Sequence, residues 1–169
     1  MSDFPTPYTI AVVGAASGIG QATASLVASR GAEVICLDRD GEGAEAVARE
    51  IIASGGKASA HAIDIADRAA QQPIWDAILG GTRPLHGLVN CAGITGRTNL
   101  KAHAVDPDDF DRVYRINMLG ALLVTQAVLP HMLDRNYGRV LHIASIAGKE
   151  GNAGMTAYSA TKAGLIGMV

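Results

Sequence analysis

Short apolar runs rich in β-branched residues alternate along this chain with longer segments whose apolar positions recur at helical spacing, the layout of βαβ units around a parallel sheet. The pattern predicts strands at Thr9 to Val13, Glu33 to Asp38, Ala58 to Ile63, Leu88 to Asn90 and Arg139 to Ala144. Helices are expected from Ile19 to Arg30, Gly43 to Ser54 and Asp67 to Leu79, closed by Gly31, Gly55 and Gly80, because glycine is favoured just past a helix end. Asp106-Pro107-Asp108-Asp109 supplies a cap, a first-turn proline and acidic first-turn residues, so it opens a long helix towards Leu133. Pro130 is expected to bend or fray the end of that helix. No repeat, low-complexity segment or linker breaks the alternation, and residues 1–169 read as one domain.

Composition narrows the class. The chain is 49 % hydrophobic but only 4 % aromatic, with 20 glycines, which suits a core of Ala, Val, Ile and Leu with many tight turns and argues against disorder. A net charge of −2 with no basic run gives no field for a phosphate backbone, so nucleic acid is not an expected partner. Cys36 and Cys91 have neither metal-ligand spacing nor the number of a disulfide framework, and are expected to be free thiols in a reducing cytoplasm. The start, Met-Ser-Asp-Phe-Pro-Thr-Pro, lacks the basic and apolar regions of a signal peptide, and no apolar run is expected to reach membrane-spanning length. A soluble cytoplasmic protein follows. His61 and His142 fall in strands, while His86, His103 and His131 are scattered without ligand spacing; structural or exposed roles are expected, and no metal. Trp75 and the run from Met118 to Val124 read as core.

Candidate chemistry concentrates in Tyr158-Ser-Ala-Thr-Lys162. Positions i and i+4 share a helix face, so the lysine holds its charge beside the phenol, favours the phenolate and draws a pKa of about 10 towards neutrality. The pair has the form of an acid/base device. Taken alone, the spacing equally describes a half-buried tyrosine beside a solvated lysine.

A second signal lies at the first strand-to-helix junction. Val13 is followed by Gly14-Ala-Ala-Ser-Gly18-Ile-Gly20 and an Ala-rich helix. Glycines there let the backbone turn tightly and approach a pyrophosphate, whose charge is met by unpaired N–H groups and the positive helix end. By itself such a turn also serves close helix packing. The next strand ends in Asp38, 18 positions after Gly20, near the offset of about 20 residues at which a carboxylate accepts adenosine ribose hydroxyls. Asp38 would repel a 2′-phosphate, which favours NAD over NADP. Arg39 beside it suits that phosphate and keeps dual specificity open.

From about Thr9 to its last residue the chain resembles the short-chain dehydrogenase/reductase family. The likeness is carried by Val13-Gly14-Ala15-Ala16-Ser17-Gly18-Ile19-Gly20, Asn90-Cys91-Ala92-Gly93, Asn117, Ser145 and the segment Tyr158 to Lys162, in family order. Val13 stands where the family usually has threonine, and Cys91 where it has a second asparagine. The resemblance implies an α/β Rossmann-type fold, a doubly wound parallel sheet in three layers. It also implies hydride transfer between nicotinamide and a carbonyl or alcohol carbon. Tyr158 would exchange the proton, and Lys162 would act on the tyrosine and bind the nicotinamide ribose. Ser145 would hold the substrate oxygen, and Asn117 a water linking Lys162 to solvent. For the cofactor it assigns Gly14, Ser17, Gly18, Ile19 and Gly20 to the pyrophosphate turn, Asp38 to the ribose, Asp64 and Ile65 to the adenine, and Asn90 to the adenine ribose and strand support.

The polar loop from Ser145 to Ala157, with Lys149, Glu150 and Asn152, together with Thr95 and Arg97, suits a hydroxylated or anionic substrate. Its wording is similar to that of family members acting on sugar acids such as 2-keto-3-deoxy acids, and a sugar-acid or polyol dehydrogenase is expected, with a 3-oxoacyl carrier-protein reductase as the alternative. Family members usually continue through two further strands and a substrate lid, whereas this sequence stops at Val169. The fold is therefore expected to lack the C-terminal strands, and an inactive dinucleotide-binding module is the second alternative. The resemblance also implies a homodimer or homotetramer formed through the long helix and the tyrosine-bearing helix.

Overall fold

The apolar runs of β1 (Thr9–Val13) and β2 (Glu33–Asp38) are continuous rather than alternating because both faces of a parallel sheet are covered by helices. The computed structural model describes residues 4–5, 7–81 and 83–168. In chain order α1 (Gly18–Ser29) follows β1, then α2 (Gly41–Ala53), β3 (Lys57–Ala62), α3 (Arg68–Leu79) and β4 (Gly87–Asn90). A long helix comes next, composed of α4 (Pro107–Tyr114), a π-helical segment (Arg115–Gly120) and α5 (Ala121–Asp134). It is followed by β5 (Arg139–His142), the short α6 (Ala147–Glu150) and α7 (Thr156–Met168).

The strands form one parallel sheet in the order β3-β2-β1-β4-β5, with Val12 between Cys36 and Val89. Alternate residues face opposite layers. Val12, Val34 and Cys36 pack with Ala24 and Ala28 of α1 and with Val47 and Ile51 of α2. Ala11, Val13, Ile35 and Leu37 pack on the other side with Trp75 of α3 and with Val124, Val128 and Met132 of α5. This is the expected three-layer, doubly wound sheet. Trp75 is fully buried, its indole N–H bonded to Gln71 Oε1 while Gln71 Nε2 donates to Ile65 O.

Several boundaries depart from the sequence pattern. α2 starts at Gly41 rather than Gly43 because Asp40 is its cap, accepting the Gly43 N–H. Asp67 lies outside α3 as its cap, bonded to the Ala69 and Ala70 N–H groups. β3 runs one residue earlier than expected, and β4 begins at Gly87. β5 stops at His142 instead of Ala144; the Ile143 N–H still reaches Asn90 O, but the Ile143 carbonyl turns to Lys162. Pro130 does not end its helix, which continues to Asp134. The helix Pro107–Asp134, contrary to expectation, is long and apolar enough by length and composition to cross a membrane, although 44 % of its most apolar stretch is buried in this fold. Val124, Val128 and Met132 direct that apolar character into the sheet. Both cysteines are free thiols.

Candidate active site

The turn after β1 can be built only with glycine at two of its positions. Gly14 has φ +80°, and a Cβ there would lie 2.8 Å from Ala92 N; a Cβ on Gly20 would lie 1.9 Å from Gly14 O. Gly18 differs, because it needs its positive φ of +54° while its Cβ would meet nothing within 4 Å, so conformation rather than space selects glycine. Ser17, the N-cap of α1, makes no side-chain cap hydrogen bond. The first-turn N–H groups of α1 are therefore left to an external acceptor at the positive end of the helix.

A groove of about 330 Å³ opens over this turn, at the carboxyl ends of β1, β2 and β4 where the strand order reverses, the usual ligand crevice of an open α/β sheet. The glycine turn with Ser17 and Ile19 forms one wall. Asp38 and Arg39 end β2 beside it, Asp64 and Ile65 follow β3, and Cys91 and Gly93 follow β4. Of the expected cofactor residues on the sheet, Asn90 is the one set back from the wall. It is 3 % exposed, its Oδ1 accepting the Ala92 N–H and its Nδ2 donating to His142 Nδ1. Thr125 Oγ1 gives its hydrogen to Ala121 O and accepts from His142 Nε2, which fixes His142 as the neutral Nε2–H tautomer. Burial, with the Lys162 charge adding to it, holds the His142 pKa below the ordinary value. Asp64 Oδ1 accepts the Ala66 N–H, and Ile65 is buried beneath Gly120, whose Cβ would sit 2.8 Å from the Ile65 side chain.

The second cluster adjoins the groove at Gly93, where a Cβ would lie 3.2 Å from Asn117 Oδ1 and 3.4 Å from Lys162 Nζ. Lys162 is 4 % exposed; its Nζ donates to Ile143 O at 2.5 Å and stands 5.7 Å from the centre of the Tyr158 ring. Burial pushes the Lys162 pKa down, partly opposed by nearby Cys91. Cys91 itself is raised by burial, against the lowering effects of a hydrogen bond with Thr23 and of the Lys162 charge. Asn117, buried in the π-helical segment, accepts the Ile94 N–H and donates to Ile94 O and to Thr161 Oγ1. A π segment at such a position is frequent at functional sites. Ser145 Oγ accepts the Ala147 N–H, as a strand-end serine capping a turn does. Among the described residues the Tyr158 hydroxyl has no hydrogen-bond partner.

The sequence reading missed the acceptors and bridges of this cluster. Ile143 contributes only its carbonyl, which no side-chain pattern announces. Thr161 was within reach of a sequence signal: a threonine inside a helix, flanked by Tyr158 and Lys162, has a hydroxyl that must find a partner, and it donates to Tyr158 O and receives Asn117 Nδ2.

The short chain dehydrogenase family model matches residues 8–169, and the chain belongs to that family. A 3-oxoacyl-[acyl-carrier-protein] reductase of Thermotoga maritima is 36 % identical over 157 residues, covering 93 % of this chain and 63 % of the relative. A 2-dehydro-3-deoxy-L-rhamnonate dehydrogenase (NAD(+)) of Sphingomonas sp. is 37 % identical over 156 residues, covering 92 % and 61 %. Among solved structures, NAD+-bound xylitol dehydrogenase superposes with a TM-score of 0.91 at 32 % identity, covering 95 % of this chain and 62 % of that one. A metagenomic short-chain oxidoreductase in complex with NADP gives 0.89 at 35 % identity, covering 95 % and 72 %. The chain thus spans less than two thirds of the length of both sequence relatives.

Proposed function

We propose that this chain serves NAD-linked hydride transfer between nicotinamide and a secondary alcohol or ketone, with Tyr158 as the acid/base. The observation that carries this is the buried Lys162 ammonium, tied to Ile143 O beside the Tyr158 ring and abutting the groove floor at Gly93. Nicotinamide, when bound, supplies or takes the hydride. Tyr158 takes the alcohol proton in oxidation and returns it to the alkoxide in reduction. A cation at this distance stabilises negative charge that develops on the phenol oxygen, and Lys162 is also the group assigned to the nicotinamide ribose. Ser145, in the loop after β5, holds the substrate oxygen. Asn117 anchors the π segment to Ile94 and Thr161 and is assigned the water joining Lys162 to solvent.

Within the groove, the turn of Gly14, Ser17, Gly18, Ile19 and Gly20 is assigned to pyrophosphate, Asp38 to ribose, Asp64 and Ile65 to adenine, and Asn90 to the adenine ribose and support of the strand beneath. Asp38 supports NAD, whereas Arg39 on the same wall supports NADP as a secondary cofactor. A sugar acid or polyol is favoured as substrate by the polar loop around Lys149, Glu150 and Asn152 and by likeness to a 2-dehydro-3-deoxy-L-rhamnonate dehydrogenase. The alternative, a 3-oxoacyl thioester reductase, is supported by the Thermotoga maritima relative. Exposed Leu122, Leu129 and Leu133 on the long helix support a homodimer or homotetramer, and two free thiols support a reducing cytoplasm.

The test is NADH formation or consumption with sugar acids, polyols and 3-oxoacyl thioesters, alongside NAD titration of the chain itself. Turnover of sugar acids or polyols supports the favoured substrate class, and turnover of thioesters alone transfers the assignment to the reductase. Titration with NAD but no turnover leaves a dinucleotide-binding module.

A further inference from the structure

We propose that Asp38 is the side-chain clamp of the glycine-rich turn, a positioning residue on which binding of both NAD and NADP depends, in addition to selecting between them; this presupposes the dinucleotide function proposed above. The N–H groups of the turn divide into two sets. Gly14 N and Ala15 N both donate to Leu37 O, at 2.7 and 3.1 Å, and Ala16 N donates to Asp38 Oδ2 at 2.9 Å. Three successive donors thus hold the turn against the end of β2. The donors that follow, at the start of α1, face the groove without a side-chain cap.

The second oxygen of the same carboxylate, Asp38 Oδ1, accepts the Asp40 N–H at 3.0 Å. Asp40 in turn caps α2 through the Gly43 N–H at 3.0 Å. Gly43 lies bare against the turn, where a Cβ would be 2.8 Å from Ala16 Cβ. Asp38 therefore fixes the phosphate turn relative to the start of α2, through charge-assisted bonds that are stronger than neutral ones. Val13, immediately before Gly14, has no hydroxyl with which to tether the turn, so the side-chain tie comes from β2. Each carboxylate oxygen keeps lone-pair capacity beyond its backbone bond, and ribose hydroxyls can still be accepted.

The two roles predict opposite results for NADP. If Asp38 only repelled the 2′-phosphate, Asp38→Ala would gain NADP affinity. As a clamp, Asp38→Ala weakens NAD and NADP together, by about tenfold or more for a lost charge-assisted bond. Asp38→Asn removes the charge but keeps one amide oxygen as acceptor; it loses less affinity and moves the NADP-to-NAD ratio upward. Calorimetric titration of the chain and both variants reads these affinities. Amide hydrogen exchange of the ligand-free proteins supplies an independent readout. The Gly14 to Ala16 amides exchange faster in Asp38→Ala while Val34 and Cys36 of β2 stay protected, and in Asp38→Asn, where one oxygen is left for two donors, either the Ala16 or the Asp40 amide exchanges faster even if the alanine variant does not fold. NADP affinity in Asp38→Ala at or above that of the parent, or exchange unaltered at Ala16 in Asp38→Ala or at both Ala16 and Asp40 in Asp38→Asn, overturns the clamp. A parent chain that binds neither dinucleotide while the exchange changes appear overturns the cofactor assignment of the groove, and with it the dependence proposed here, but leaves the mechanical tie standing.

Discussion

Lys162 Nζ donates to the Ile143 carbonyl at 2.5 Å, so the tip of β5 and the tyrosine-bearing α7 are joined by a buried cation. Lys162→Met keeps the apolar stem but leaves that carbonyl without its donor, a change that costs about 1–3 kcal/mol for a buried unpaired group, less whatever is regained by no longer burying a charge. The pH dependence separates these effects. With a folded pKa below the ordinary 10.5, the unfolded chain holds its proton more tightly, so the lysine's contribution to stability rises as pH climbs through the folded value towards 10.5. Denaturant unfolding across that range should show a rise in the parent that is smaller in Lys162→Met.

Three histidines give the opposite end of the pH scale its own signature. His86, His131 and His142 all titrate below the ordinary imidazole value of 6.5, burial being the largest cause in each case. Each also uses a ring nitrogen as acceptor, from Thr9 N, Leu85 N and Asn90 Nδ2 respectively, and protonation forfeits that bond. Their contribution is fully present above 6.5 and is lost as pH falls from there through the depressed folded values. Each proton taken up on unfolding gives a slope of about 1.4 kcal/mol per pH unit. Urea titrations from neutral pH downward should show stability falling with acid, and His142→Gln should reduce the slope.

Gly20→Ala and Gly18→Ala should fail in different ways. A Cβ at position 20 would sit 1.9 Å from Gly14 O, a backbone atom that cannot swing aside, so several kcal/mol of stability are lost and a lowered melting temperature reports it. At position 18 the added Cβ meets open space, and the cost is the positive φ of +54°, on the order of 1–2 kcal/mol. That methyl projects beside the groove, so Gly18→Ala should stay folded and lose more NAD affinity than its thermal shift accounts for. Equal losses in both variants, measured by calorimetry and thermal melts, would contradict the division.

What could be read from the sequence was whatever depends on local period and residue type. β1 and β2 matched to the residue because buried parallel strands are continuous apolar runs, and the glycines of the turn stood out because backbone contacts at Gly14 and Gly20 and a positive φ at Gly18 select glycine. Ends set by a partner distant in sequence were not legible. β5 stops at His142 because of a lysine on α7, whereas the start of α2 is set locally, by the Asp40 cap on the Gly43 N–H. The same limit applies at the site. Tyr158 and Lys162 were visible as a helical pair, while the carbonyl that holds Lys162 and the bridge from Asn117 to Thr161 arise only when separate elements pack together.

Tyr158→Phe and Ser145→Ala provide the contrast that tests the proposed acid/base most directly. The Tyr158 hydroxyl has no hydrogen-bond partner among the described residues, and a phenylalanine ring keeps the face that Lys162 approaches at 5.7 Å. Removing the hydroxyl should therefore leave the melting temperature nearly unchanged while NAD-linked turnover falls by about 10²–10⁴-fold, the usual range for a lost general acid/base. Ser145 Oγ, by contrast, receives the Ala147 N–H at the start of α6, so Ser145→Ala loses a turn cap worth about 1 kcal/mol along with any hold on substrate. Its expected profile is a lower melting temperature together with reduced turnover. If Tyr158→Phe lost stability but kept turnover, the phenol would be a packing group, and the proton would have to be exchanged elsewhere in the site.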